Sequence, residues 1–168
     1  MKLKYELFLA QLRRNPLLAE NVAFWQDIPS QTTNVFDFPS WINKDLVTSL
    51  NNRGINGLYS HQIEALNLIK SQKDVVITTG TASGKSLCYQ ISILSQLLLD
   101  GHSTALLFFP AKALTYDQLK SFSGLISGTS LSNNPYIASV YDGDTPSSQR
   151  MHIRQKTKIL LSNPDMLN

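Results

Sequence analysis

The fold of this 168-residue chain is decided by the stretch Val75-Val76-Ile77-Thr78-Thr79-Gly80-Thr81-Ala82-Ser83-Gly84-Lys85-Ser86. Its first five residues form a short β-branched run, which predicts a buried strand. The residues that follow, up to Leu99, carry apolar side chains at helical spacing, and Gly101 ends the predicted helix. A glycine-rich turn between a strand and a helix is the context that a phosphate-binding loop requires.

The chemistry of this loop indicates a nucleoside triphosphate as its ligand. Glycine allows backbone N–H groups to close around phosphate oxygens, and the positive end of the helix dipole faces the same anion. Lys85 would neutralise the β- and γ-phosphates of ATP, and the Ser86 hydroxyl would ligate Mg²⁺, which makes these two the catalytic candidates. Thr79 stands where the general pattern has its first glycine, so the alternative is a strand-to-helix turn with an incidental lysine. The predicted contacts to ATP in the loop are Thr79, Gly80, Thr81, Ala82, Ser83, Gly84, Lys85 and Ser86.

Beyond the loop, predicted strands alternate with predicted helices. Because the strands are apolar throughout, they favour a parallel sheet that is covered on both faces. We therefore expect an α/β domain built as a parallel sheet with helices on both faces. The predicted strands are 75–79, 104–109, 136–141 and 158–161, and the helices in this half are 85–99, 111–122 and 145–155, the last with Thr145 as N-cap and Pro146 as its first residue.

The sequence before the loop predicts two helical parts that a polar linker separates. The predicted segments are a helix over 1–28 that Pro16 interrupts, a linker over 30–40, a short helix to about Asn52 and a helix from the N-cap Ser60 to about Ser71. We expect a helical N-terminal extension and linker over residues 1–37. The α/β domain is then expected over residues 38–168.

Composition excludes several classes of protein. The net charge of +3 and the 16% of charged residues exclude a generalised polycation, although a local basic patch stays compatible with them. No apolar run approaches the roughly 18 to 20 residues that span a bilayer, and the N-terminal run Leu7–Ala10 is too short for a secretory signal. The single Cys88 forms no internal disulfide, so we expect a cytoplasmic protein without a membrane partner.

Four further blocks of sequence surround the loop and extend the pattern. They are Gly57-Leu58-Tyr59-Ser60-His61-Gln62, Phe109-Pro110-Ala111-Lys112-Ala113-Leu114 with Gln118, Tyr141-Asp142-Gly143-Asp144-Thr145-Pro146, and Leu161-Ser162-Asn163-Pro164-Asp165-Met166-Leu167. Together with the loop TTGTASGKSLCYQ, these blocks resemble the first RecA-like domain of a superfamily-two helicase of the DEAD/DEAH-like class. Within that class they look most like the bacterial mitomycin-repair-factor helicases and their fungal RecQ-four-like relatives. The resemblance covers about residues 38–168.

The resemblance implies that Gln62 reads the adenine base of ATP. An amide suits that role because it donates to the ring N7 and accepts from the amino group on C6. For Gln62 taken alone, a solvated residue on a helix is the competing interpretation.

The resemblance also implies that the three later blocks hold the sugar-phosphate backbone of one nucleic-acid strand. Lys112 is the expected phosphate contact, and the turn at 142–146 opens a helix whose free N–H groups suit a phosphate. A purely structural turn explains the two aspartates of that block equally well. The strand can be RNA as well as DNA, because the predicted contacts are to the sugar-phosphate backbone and not to the bases. The predicted nucleic-acid contacts are Pro110, Lys112, Gln118, Asp142, Gly143, Thr145, Ser162, Asn163, Pro164 and Asp165.

A basic stretch lies between the third and fourth blocks. No acidic residue occurs between 145 and 160, which is consistent with nucleic acid, whereas a solvated helix face is the alternative. The cations of this stretch are Arg150, Arg154, Lys156 and Lys158.

A motor of this class also needs an acidic Asp-Glu pair to hold Mg²⁺, and the chain contains no such pair. We therefore expect the leading part of an ATP-dependent DNA helicase, a 3′-to-5′ single-strand translocase in DNA repair, that requires the remainder of the helicase and is inactive by itself. In such a piece the strand at 158–161 is expected to lack some of its neighbours, which leaves an unpaired edge and apolar surface. The alternatives are a truncated, non-catalytic nucleotide-binding module and a P-loop kinase-like transferase, which the Gln62 block disfavours.

Overall fold

The computed structural model describes residues 2–24, 26 and 34–167. The chain divides into two compact units, residues 1–33 and residues 34–168. In the first unit, α1 (Lys2–Arg14) is followed by α2 (Pro16–Ala19). Among the described residues of this unit, helical structure ends at Ala19. The end of the predicted helix and the start of the predicted linker include residues outside the described ones.

Proline accounts for the break between the two helices of the first unit. Asn15 is the N-cap of α2, and its side-chain oxygen accepts a hydrogen bond from the Leu17 N–H at 3.1 Å. Pro16 occupies the first helical position, where its missing N–H is not needed. The prediction of an interruption at Pro16 is confirmed.

The second unit contains five helices and five strands among its described residues. The helices are α3 (Lys44–Asn52), α4 (Ser60–Lys70), α5 (Lys85–Asp100), α6 (Lys112–Ile126) and α7 (Ser147–Lys156), and the strands are β1 (Val35–Phe36), β2 (Leu58–Tyr59), β3 (Ala105–Phe108), β4 (Ala138–Tyr141) and β5 (Ile159–Ser162).

The main sheet is parallel and has the strand order β3–β5–β4. Ala105 of β3 and Ala138 of β4 both pair with Ile159, so β5 has a neighbour on each side. The α/β fold with a parallel sheet flanked by helices is confirmed. The expectation that the strand at 158–161 lacks some of its neighbours is wrong, because the chain crosses through α7 to place β5 between two earlier strands.

The predicted strand at 75–79 forms no ladder with any described residue. The run lies between α4 and α5 without regular secondary structure, and Val76 is 88% exposed. The parallel sheet consists of β3, β5 and β4, so this run is not one of its strands. The sequence signal for a buried strand is therefore not realised within these residues.

A core of buried aliphatic side chains joins the helices to the sheet. On α5 the buried residues Cys88, Ile91, Leu94 and Leu97 recur every three residues, as one face of a helix requires. Ile91, Leu94 and Leu97 pack in one cluster with side chains from α3, α4, α6 and the sheet. Burial raises the pKa of the Cys88 thiol, so this cysteine is a packing residue rather than a nucleophile.

Among the described residues, no helix has the length and hydropathy needed to cross a bilayer.

A small antiparallel ladder, which the sequence did not indicate, lies just before α4. Val35 pairs with Tyr59, and Phe36 pairs with Leu58. A side chain at Gly57 would collide with Val35 and the Phe36 backbone, so this approach requires a glycine. Part of the predicted linker is thus fixed against the start of α4.

Candidate nucleotide and nucleic-acid sites

The loop between the extended run and α5 folds around the ammonium group of Lys85. Its Nζ donates to the carbonyl oxygen of Thr79 at 2.7 Å and to that of Gly80 at 2.5 Å. The hydroxyl groups of Thr79 and Ser83 lie 2.6 Å apart and close the loop from within. The lysine is therefore held at the centre of the loop by weak neutral acceptors that a phosphate would outcompete.

The backbone of the loop adopts left-handed conformations at two residues. Ala82 has φ +58° and Gly84 has φ +74°. Gly84 is the N-cap of the sixteen-residue helix α5, and no described side chain caps the N–H groups of that first turn. These donors, the helix dipole, Lys85 and the partly buried Ser86 together fit a polyphosphate.

Gln62 lies beside the loop and is only 2% exposed. Its Oε1 accepts from the Tyr59 N–H at 2.8 Å, and its Nε2 donates to the Gly84 carbonyl oxygen at 2.9 Å. The amide therefore closes the start of α4 and fastens the phosphate loop at the same time. Tyr59, not the predicted Ser60, is the N-cap of α4.

His61 makes a second connection between α4 and the loop, one that sequence reasoning missed. Its Nε2 lies 3.1 Å from the Ser83 carbonyl oxygen, and its ring stacks on Tyr59 with centroids 5.9 Å apart. Its position next to Gln62 was the available signal. Two consecutive side chains of α4, His61 and Gln62, thus hold the loop at the consecutive residues Ser83 and Gly84.

Gln118 lies between α5 and α6, where it accepts hydrogen bonds from α5. Its Oε1 receives the Tyr89 hydroxyl at 2.7 Å and the Gln90 amide at 3.1 Å. Gln90 is buried and also donates to Ser121 at 3.0 Å. The structure therefore uses Gln118 to connect the helix of the phosphate loop to α6, whose first residue is Lys112.

The three later sequence blocks meet at the carboxyl edge of the sheet. β3, β4 and β5 are parallel and in register, with Phe108, Ser162 and Tyr141 at the same level. The residues that follow each strand must therefore lie side by side at that edge. The structure brings together the predicted contacts Pro110, Lys112, Asp142, Gly143, Thr145, Asn163 and Pro164.

The turn after β4 is closed by its own side chains. The Asp142 N–H donates to the Thr145 hydroxyl at 2.9 Å, and Asp142 Oδ1 accepts from the Asp144 N–H at 3.0 Å. Thr145 therefore closes the turn and is not the helix cap that the sequence indicated, since Pro146 is the N-cap of α7. Asp142 is 1% exposed and its side chain faces inward.

Arg150 fastens this turn to α7. Its Nε donates to the Thr145 carbonyl oxygen at 3.0 Å and its Nη2 to that of Gly143 at 3.4 Å. The guanidinium groups of Arg150 and Arg154 both lie over the Tyr141 ring, at 5.7 and 5.5 Å from its centroid. Part of the basic stretch therefore supports the turn, whereas Arg154 remains exposed.

Lys112 forms an ion pair that the sequence did not indicate. Its Nζ lies 2.7 Å from Asp144 Oδ2, and both side chains are substantially exposed. The hydrogen bond from Asp144 raises the pKa of Lys112, and the charge of Asp142 adds to the effect. Asp144 stands inside the block that predicted DNA contacts, but only the fold brings it to residue 112.

The block after β5 contributes a mixture of buried and exposed polar groups. Ser162 donates its hydroxyl to the Tyr141 carbonyl oxygen at 2.5 Å and joins two strand ends. Asn163 is buried, and its Oδ1 has no hydrogen-bond partner among the described residues. Pro164 and Asp165 are exposed in a 3₁₀ turn, Pro164–Leu167. This turn is the exposed part of the block.

Comparison with known proteins identifies the family. Residues 59–168 match the DEAD/DEAH box helicases, so the match includes the phosphate loop and all three blocks at the sheet edge. The chain belongs to the DEAD/DEAH box helicase family. The resemblance drawn from the sequence blocks is thereby confirmed.

Relatives of this helicase-family chain are much longer than the chain. It is 34% identical to the ATP-dependent helicase YprA of Bacillus subtilis over 149 residues, which are 89% of this chain and 20% of YprA. It is 41% identical to the ATP-dependent helicase HRQ1 of Saccharomyces cerevisiae over 110 residues, 66% of this chain and 10% of HRQ1. A crystal structure of the DUF1998 helicase MrfA with DNA and AMPPNP matches with a TM-score of 0.79 and 33% identity, covering 95% of this chain and 21% of MrfA. The chain thus spans about a tenth to a fifth of these relatives.

Proposed function

We propose that this chain is the ATP- and DNA-binding part of an ATP-dependent DNA helicase. The observation that carries the proposal is the joint placement of two surfaces on one α/β unit. The phosphate loop precedes α5, the residues of three helicase blocks line the sheet edge, and Gln118 connects α5 to α6. The names of YprA and HRQ1 as ATP-dependent helicases support the same function.

The nucleotide in this proposal is ATP with Mg²⁺. Lys85 binds the β- and γ-phosphates in exchange for the loop carbonyl oxygens, and the backbone of residues 80–84 surrounds the phosphate oxygens. Ser86 would hold the Mg²⁺, which supplies charge neutralisation at the phosphates when bound. AMPPNP in the MrfA structure supports a nucleoside triphosphate at the corresponding fold.

The placement of Gln62 gives it a specific part in this proposal. Both ends of its amide are occupied by the Tyr59 N–H and the Gly84 carbonyl. We infer that it reads adenine by exchanging these partners when ATP binds. The shape of the loop would then respond directly to the base.

The nucleic acid in this proposal is a DNA strand held by its phosphates at the sheet edge. The exposed groups suited to that contact are Lys112, the Gly143 backbone, the turn at Pro164 and Asp165, and the exposed α7 cations Arg154 and Lys156. The DNA in the MrfA structure supports DNA as the substrate. Movement in the 3′-to-5′ direction, a role in DNA repair, a cytoplasmic location and the domain division at residues 37 and 38 belong to the same proposal.

The proposed function is tested by the ATPase activity of the intact protein with and without single-stranded DNA. We expect DNA to stimulate hydrolysis, and we expect Lys85→Ala to weaken ATP binding strongly while the circular dichroism spectrum stays unchanged. Loss of two charge-assisted hydrogen bonds, each worth about 1.5 kcal/mol, lowers the affinity roughly 100-fold. ATP binding without hydrolysis favours the non-catalytic nucleotide-binding module, and hydrolysis that DNA does not stimulate contradicts the helicase. Unchanged ATP affinity in the variant overturns the loop assignment.

A further inference from the structure

The Lys112–Asp144 ion pair joins two elements that are far apart in sequence and adjacent at the sheet edge. Lys112 is the first residue of α6, and Asp144 lies in the turn after β4. Their charged atoms are 2.7 Å apart, with 46% of the lysine side chain and 69% of the aspartate side chain exposed. The pair is therefore reachable from solvent and by a strand lying along this edge.

The backbone of Asp144 is held in place without help from Lys112. The Asp144 N–H donates to Asp142 Oδ1, and Arg150 fixes the carbonyl oxygens on both sides of the residue. A turn that is fixed in this way loses little conformational entropy when the ion pair forms. The pair is consequently better organised than two mobile surface side chains.

The positive charge of Lys112 is already compensated by nearby carboxylates. Lys112 faces Asp144 directly, and Asp142 lies near enough to add to the rise in the pKa of Lys112. The ammonium group thus pairs with Asp144 and also feels the negative charge of Asp142. A phosphate group can use Lys112 only by displacing Asp144 or by sharing the ammonium with it.

We propose that Asp144 competes with a backbone phosphate of single-stranded DNA for the ammonium of Lys112, and so limits how tightly the sheet edge holds the strand. The inference rests on the proposed function. In the free protein the ion pair is closed. In the bound protein Lys112 contacts the phosphate and Asp144 turns to solvent. The free energy lost with the ion pair therefore offsets part of the free energy gained from the contact between Lys112 and the phosphate.

The test is the affinity of the intact protein for a fluorescent oligothymidylate at several salt concentrations. Asp144→Asn keeps the backbone N–H that holds the turn and removes the competing charge. We expect it to tighten binding about two- to fivefold at low salt, the range expected for an exposed ion pair. The slope of log K against log salt should steepen by about 0.7, because Lys112 without Asp144 neutralises one more phosphate of the strand.

Two control variants separate this role from a general change of charge. Asp117→Asn removes a carboxylate from α6 that acts on Tyr89 of α5, and it should leave both affinity and slope close to the wild type. Lys112→Gln should weaken binding, and adding Asp144→Asn to it should produce no further gain. A gain that persists without Lys112, or an equal gain in Asp117→Asn, overturns the inference while DNA binding stands. If no variant binds DNA, wild type included, the proposed function and this inference both fail.

Discussion

Gln62 is the residue whose structural and proposed roles are most closely joined. It is buried, its oxygen closes the first turn of α4, and its amide nitrogen holds the Gly84 carbonyl. A buried polar group with both ends satisfied stabilises the fold, and losing one partner leaves the other unpaired. The Gln62 amide, next to the contact from His61, therefore attaches the proposed phosphate loop to α4.

Two substitutions separate the two ends of this amide. Gln62→Glu keeps the acceptor for Tyr59 but loses the donor to Gly84, whereas Gln62→Ala loses both. We expect Gln62→Ala to lower the free energy of unfolding by about 2 kcal/mol, and both variants to weaken ATP binding. Urea unfolding and nucleotide titration measure the two effects.

The prediction for Gln62 has a clear contrary result. If Gln62→Glu binds ATP like the wild type, the bond to Gly84 does not shape the loop and the base is read elsewhere.

At the scale of elements, the phosphate loop depends on one glycine far more than on the other. Gly84 has φ +74°, and a Cβ there would collide with Gln62 Nε2. Gly80 has open space where its Cβ would be. The sequence motif contains both residues, but only the structure distinguishes them.

Alanine at these two positions provides a matched pair. Gly84→Ala forces a left-handed alanine, at about 1 to 2 kcal/mol, and displaces Gln62, so we expect lower stability and at least a tenfold loss of ATP affinity. Gly80→Ala should change both by little. Thermal melting and isothermal titration report the difference, and equal behaviour of the two variants would contradict this account of the loop.

The turn after β4 depends on the planar shape of Arg150 rather than on its charge alone. Its Nε and Nη2 reach two different carbonyl oxygens, which a lysine cannot do from one nitrogen in the same geometry. Arg150→Lys should therefore speed amide hydrogen exchange at residues 143–145 and weaken DNA binding several-fold, although net charge is unchanged. Arg154→Lys, at a residue that also lies over Tyr141, is the control and should leave exchange at the turn unaltered.

Sequence was sufficient for what is local and insufficient for what depends on pairing. The helix after Lys85 and the parallel strands were predictable because each has its own periodicity and its own glycine or proline boundary. The position of β5 between β3 and β4 was not, because strand order depends on contacts between distant residues. Asp144 was overlooked as a partner of Lys112 for the same reason.

The site residues follow the same division. The loop was identified from consecutive residues, whereas the burial of Asp142 and the use of Gln118 between two helices needed the fold. The strand predicted at 75–79 has the right composition, yet no described strand lies beside it. Composition gives the preference of a segment for strand structure, but a strand forms only where the fold places another strand beside it.

At the scale of the whole molecule, the sheet leaves apolar surface uncovered. On β3 the side chains alternate, so that Leu106 and Phe108 face one side and are 56% and 39% exposed. The outer edge of the same strand has unpaired backbone groups among the described residues, and Val76 and Leu99 add further exposed apolar surface. An unpaired edge beside apolar side chains is a template for association.

The 168-residue chain by itself should therefore associate and melt without a sharp transition. We expect light scattering to show oligomers and the dye ANS to bind, because both the edge of β3 and its apolar face are open to other copies. The double variant Leu106→Thr, Phe108→Thr places β-branched residues in the strand and removes the exposed apolar groups, so it should reduce ANS binding and association together. Leu107→Thr is the control, since Leu107 packs against the core and its loss should lower stability instead. A monodisperse wild-type monomer with a cooperative melt would show that this face is stable in water as it stands, and that the sheet needs no further partner to fold.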